Sequence, residues 1–134
     1  MKKLNYILFS SLILIFSCET AHTVRKTIIN DSSFDFYIDY NNSYVDTLLY
    51  LRSNDYIILS DFTTLGRHPD GEPTEPCSMY FSDTITISVN STLPYYFIGD
   101  FRDEYSWEET LSGNRSTIQD CSYTITNDHV ILDM

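Results

Sequence analysis

The stretch Phe34-Asp35-Phe36-Tyr37-Ile38-Asp39-Tyr40 decides the fold class. Phe34, Phe36, Ile38 and Tyr40 alternate with Asp35, Tyr37 and Asp39. A period of two is the mark of a strand with one face buried and the other in water. Here the watered face is acidic.

Working outward, the flanks repeat the signal. Upstream, Asn30-Asp31-Ser32-Ser33 is a run of turn formers that closes a first strand over residues 24–29. Downstream, Asn41-Asn42-Ser43 turns the chain into residues 46–51 and 56–59, apolar on both faces. Such segments suit inner strands, with Arg52-Ser53-Asn54-Asp55 as a hairpin loop. Residues 63–76 then hold Gly66, Pro69, Gly71, Pro73 and Pro76, which no regular element survives. Cys77, Met79 and Phe81 share one phase, as do Ile85, Ile87 and Val89. A turn at Asn90-Ser91-Thr92 leads to Tyr95-Tyr96-Phe97-Ile98. Near the end, Cys121, Tyr123 and Ile125 alternate with Ser122, Thr124 and Thr126, and Val130-Ile131-Leu132 reads as a last edge strand. Only residues 103–111 have helical potential, a turn or two at most. Short strands, roughly seven to eight of them, with regular turn signals predict an all-β, antiparallel β-sandwich, immunoglobulin-like or similar.

The front of the chain has a different character. Met1-Lys2-Lys3 precedes an apolar run from Leu4 to Phe16, and Ser17-Cys18 follows. The run is interrupted by Asn5, Ser10 and Ser11 and falls short of the roughly 18–20 apolar residues that span a bilayer. It resembles the signal peptide and lipobox of a bacterial lipoprotein. The resemblance covers residues 1–18 and implies a signal peptide over 1–17 and lipidation of Cys18. Residues 18–23, with Glu19, Thr20 and His22 polar and nothing periodic, read as a short tether with His22 solvent-exposed, and residues 24–134 read as a single domain. The implied partner is the membrane, through the lipid, and the implied location is the bacterial cell envelope, at the outer membrane. The domain itself is loosely similar to small envelope lipoproteins of Gram-negative bacteria.

Removal of residues 1–17 leaves 117 residues, and losing Lys2 and Lys3 takes the net charge from −11 to −13. So acidic a chain repels nucleic acid and argues against a phosphate-tracking role. With Cys18 lipidated, Cys77 and Cys121 remain as an even pair in an oxidising compartment. Both fall on the apolar phase of their segments, so a bridge in the core stapling two strands is expected. Two buried thiols are the alternative. Closing a loop of that length constrains the unfolded chain by about 4 kcal/mol.

Catalytic signatures are absent from the sequence: no G-x-S-x-G, H-E-x-x-H, P-loop, Rossmann glycine pattern or EF-hand loop occurs. His22, His68 and His129 stand apart, without a ligand at metal-binding spacing, so neither metal nor cofactor is expected. Asp46-Thr47-Leu48 and Asp83-Thr84-Ile85 resemble O-glycosylation sites of exported proteins in some Gram-negative bacteria. The expected binding face is Phe101, Tyr105, Trp107, Glu108 and Asn114, because sugar rings stack on flat aromatics while carboxylates and amides take the hydroxyls. A lone tryptophan also serves as a packing residue, and that reading stays open. The sequence thus points to a non-enzymatic envelope or surface domain that binds a protein or a glycan. A structural component joined by strand addition and a small glycan-processing enzyme are the alternatives.

Overall fold

The structure, a computed structural model, describes residues 21–41, 46–65, 76–78, 84–113 and 116–133. Nine strands run through them: β1 (Ala21–Asn30), β2 (Phe36–Asn41), β3 (Asp46–Leu51), β4 (Tyr56–Leu65), β5 (Thr84–Val89), β6 (Tyr95–Phe97), β7 (Trp107–Ser112), β8 (Thr117–Ile125) and β9 (Val130–Leu132). Two single 3-10 turns, Glu104–Ser106 and Asn127–His129, are the only helical turns among the described residues. The fold is all-β. Its strands form sheets of four (β4-β1-β8-β7), three (β3-β2-β5) and two (β6-β9).

The alternating stretch behaves as its pattern requires. On β2, Phe36, Ile38 and Tyr40 are buried while Tyr37, Asp39 and Asn41 are exposed. β2 is central in its sheet, with Ile38 opposite Leu49 on one side and Ile87 on the other.

Five expectations need correction. β3 and β4 are not inner strands of a hairpin. Each is the end strand of a different sheet among the described residues, and residues 52–55 carry the chain between the sheets. Their second apolar face lies in solvent, with Leu48 68% and Tyr56 61% exposed. β1 and β8 pair in parallel, so the large sheet is mixed rather than antiparallel. Side-chain alternation is blind to the direction of a neighbouring strand. Residues 21–23, expected in a tether, belong to β1, which pairs with β4 from Ala21 and with β8 from His22. His22 is consequently buried rather than exposed. Residues 107–112 form a strand where at most a helical turn was expected, since pairing with β8 satisfies their backbone whatever their charge. Finally, Cys77 lies outside any strand. Met79 and Phe81, on the same expected strand, lie outside the described residues.

One core joins both larger sheets. Ile28, Trp107, Cys121, Tyr123 and Ile125 come from the four-stranded sheet, and Phe36, Ile38, Tyr40 and Leu51 from the three-stranded one. Each large apolar side chain fully buried stabilises the fold by about 1.5–3 kcal/mol. Cys77 and Cys121 are disulfide-bonded, with an S–S distance of 2.10 Å, so the bridge fastens residues 76–78 to β8. The buried Lys26 of β1 reinforces that attachment, its Nζ donating to the Ser78 carbonyl at 2.9 Å.

Asn30 ties together one end of the core. Fully buried, it donates through Nδ2 to the carbonyls of Phe34 (2.7 Å) and Arg52 (2.9 Å). Its Oδ1 accepts from the Ser32 amide and hydroxyl. The backbone joins in: Asn30 N–H donates to the Asp55 carbonyl, Asn54 N–H to the Asn30 carbonyl and Asp31 N–H to the Ile125 carbonyl, each at 2.8 Å. One amide thus bonds to two of the loops that cross between the sheets, and in doing so it satisfies its own polar atoms and avoids a desolvation cost.

Candidate binding face

The residues expected to form a binding face are not brought together. Phe101 and Trp107 are buried, each only 7% exposed, and belong to the core. Phe101 packs on Tyr123 with ring centroids 4.3 Å apart, and Trp107 meets Tyr123 edge-on at 5.5 Å. A loop carrying aromatics among charges looks solvent-facing in sequence, but here it folds back and seals the end of the sheet. Tyr105 on the 3-10 turn is 97% exposed, and Glu108 on β7 is exposed. Asn114 and Cys18 lie outside the described residues, as does His68. Thr47 faces the same side as buried Tyr40, its register partner, and is half-buried; Asp83 lies outside the described residues.

A different face does gather aromatic and polar groups. The exposed positions of β2 point away from the core, and register places their neighbours beside them. Tyr37 lies between Tyr50 and Ser88, Asp39 between Leu48 and Thr86, and Asn41 beside Asp46. Tyr37 and Tyr50 are 40% and 43% exposed, with ring centroids 5.1 Å apart and planes tilted by 42°. Next to the pair is a polar hollow of about 360 Å³ lined by Asp39, Asn41, Asp46 and Thr86.

Tyr50 of the pair is held in place by a hydrogen-bond chain at the start of β2. The Tyr50 hydroxyl donates to Asp35 Oδ2 at 2.5 Å and accepts from Asn90 Nδ2 at 3.3 Å. Asp35 Oδ1 also accepts from the Ser53 N–H at 2.8 Å. The Tyr50 hydroxyl, then the Ser53 amide, hold the Asp35 carboxyl below the usual carboxylate value. The same bond to Asp35 raises the Tyr50 phenol above its ordinary value. Fixing the ring in this way removes the rotamer entropy that a free tyrosine would lose on binding.

Sequence reading placed Tyr37 correctly on the watered side of β2 but assigned Tyr50 to an inner strand. The missing signal was pairing. Leu48 and Tyr50 share a phase, and only the register with β2 shows that this phase faces solvent beside Tyr37.

Chemically, the face offers two flat π surfaces, two carboxylates, a carboxamide and hydroxyls on a rigid sheet. That combination suits a ring with one apolar face and hydroxyls at its edge. Among the described residues, no group of three His, Cys, Asp or Glu is placed to hold a metal ion. Nor is any helix among them long and apolar enough to cross a membrane. No protein-family model, no curated protein and no solved structure matches this chain.

Proposed function

We propose that this chain is a lipid-anchored domain of the bacterial cell envelope, tied to the outer membrane through Cys18, that binds a glycan on the Tyr37–Tyr50 face. It acts by binding rather than by catalysis. The two larger sheets form the layers of a sandwich around the shared core, and the smallest sheet closes one end. The observation that carries the reading is the tyrosine pair, with Tyr50 fixed, beside Asp39, Asn41 and Asp46. A sugar ring stacks its C–H face on the tyrosines while its hydroxyls reach the carboxylates and the amide. The acidic chain disfavours uronates and phosphorylated sugars, leaving neutral glycans as the better fit.

Screening the protein against immobilised neutral and acidic glycans tests this. Tyr37→Ala and Tyr50→Ala are expected to weaken capture by about tenfold or more, as central contacts do, without moving the melting temperature. Undiminished capture by a folded double variant would remove the face from consideration. The anchor is tested separately: Cys18→Ala should shift the protein from the detergent phase to the aqueous phase or leave an unprocessed precursor.

A further inference from the structure

The outward face of the four-stranded sheet holds a second, chemically different surface. On β1, Thr27 and Ile29 alternate with buried Lys26, Ile28 and Asn30. Register sets Ile29 between Tyr56 of β4 and Thr124 of β8, and Thr27 between Ile58 and Ser122. Tyr56, Ile58 and Ile29 are 61%, 46% and 36% exposed and form a contiguous apolar corner, while Arg25, Asp120, Ser122 and Thr124 lie on the same face. A groove of about 490 Å³ runs along it, floored by Ile29 and Tyr56 and rimmed by Asp31, Asn54 and Asp55.

This groove is built rather than incidental. Both rim carboxylates sit on backbone fixed to strand ends, Asp31 through its N–H to the Ile125 carbonyl and Asp55 through its carbonyl to the Asn30 N–H. Asn54 between them takes the left-handed conformation, φ 59°, and its N–H donates to the Asn30 carbonyl. The buried Asn30 side chain holds the frame from beneath. Among the described residues the ion pairs on this sheet are Arg25 with Asp61 and Asp120, and neither rim carboxylate takes part. Asp55 Oδ1 accepts from the Tyr56 N–H at 2.9 Å, which fixes that carboxylate without neutralising it, so both acids keep their charge for whatever enters.

We propose that this groove docks an extended segment of a partner protein that presents an aliphatic side chain next to arginine or lysine. The aliphatic group covers Ile29, Tyr56 and Ile58, and the cation meets Asp31 and Asp55. Charge complementarity selects the occupant: an apolar floor with an acidic rim, on a chain of net charge −11, favours a cationic amphipathic strand and repels an acidic one. The floor has a single exposed aromatic ring, Tyr56, beside the aliphatic Ile29, so it suits an aliphatic side chain better than the face of a sugar. The inference is independent of the glycan reading, which uses the other large sheet.

The test titrates the intact domain against a fluorescein-labelled hexapeptide of alternating arginine and leucine. Saturable binding is expected, weakened by about tenfold or more in Tyr56→Ser and in the Asp31→Asn/Asp55→Asn pair. Leu48→Ala, which changes the exposed apolar group on the other large sheet, should leave it unchanged. Both groove variants change surface groups, and equal melting temperatures confirm that they are folded. Several results overturn the proposal. One is equal binding of an arginine-glycine peptide, which means charge alone. Others are equal binding of a glutamate-leucine peptide, displacement by equimolar phenethylamine, which means a small-amine site, or loss of binding in Leu48→Ala, which means the other sheet. Failure to bind the arginine-leucine peptide at all does the same.

Discussion

The Trp107 indole N–H donates to the Phe101 carbonyl at 2.9 Å and closes the segment 102–106 between them. The bond lets both aromatic rings lie in the core while Tyr105, between them in sequence, stands in solvent. Trp107→Ala therefore removes a large buried ring and leaves that carbonyl without its donor. A loss of about 3–5 kcal/mol is expected in urea unfolding. Tyr105→Ala in the same experiment should stay within about 0.5 kcal/mol of the parent.

Asn30→Ala is expected to cost about 2–4 kcal/mol, out of proportion to its size, because the Phe34 and Arg52 carbonyls lose their donor together. Asn30→Asp should fare no better, since a carboxylate meets those carbonyls with oxygen rather than N–H. Chemical denaturation of both variants checks this. A near-neutral Asn30→Asp would mean that the loops are held by their backbone bonds alone.

Reducing the Cys77–Cys121 bridge should lower the melting temperature, with a loss of about 4 kcal/mol as the upper expectation from loop closure. Because the bridge fastens residues 76–78 rather than two strands, Cys77→Ala/Cys121→Ala should keep the far-ultraviolet signature of the sheets. Proteolysis of the double variant should begin near residues 76–78, where among the contacts described only the Lys26 bond to the Ser78 carbonyl still holds the segment, because the Cys77 Sγ that accepts from Gln119 is gone as well.

Binding on the tyrosine face should show a broad pH plateau. Asp35 titrates below the ordinary carboxylate value of about 3.9, so its contribution is complete above that pH and is lost as pH falls through the folded value. Tyr50 titrates above about 10, so its hydroxyl keeps its proton through that pH and gives it up as pH rises through the folded value. Buried Tyr123, raised chiefly by burial, adds a stability loss in the same alkaline range, because the unfolded chain releases its proton first. Glycan capture measured across pH, with melting temperatures alongside, separates the two alkaline effects. Tyr123→Phe should remove the buried phenol's share of the melting change while leaving the face intact.

Local pattern made much of this molecule legible. β2, β3 and β9 fall where alternation or apolar runs place them, and an even count pairs Cys77 with Cys121, although Cys77 is not on the strand its phase suggests. What stayed hidden depends on partners rather than on neighbours in sequence. Nothing in residues 24–29 and 121–126 says that β1 and β8 run in the same direction. Nothing in Leu48 or Tyr50 alone says which side of β3 meets the core. The Trp107 loop misled for a related reason. Its charges mark a chain that leaves the sheet, but the hydrogen bond that brings Trp107 back is made to a backbone carbonyl, and a carbonyl carries no residue identity.

The parallel pairing of β1 with β8 sets a condition on how the chain reaches its native state. Val24 meets Gln119 and Ile28 meets Tyr123, so the large sheet joins nearly the first described strand to nearly the last. Such sequence-distant contacts carry a high loop-closure cost and slow the search for the native topology. Until β8 has emerged, β1 has only β4 to pair with, and Ile28 lacks the Tyr123 that covers it. A chain delivered from its N-terminus onward would thus remain open through most of its passage and close late, when the last quarter of the sequence arrives.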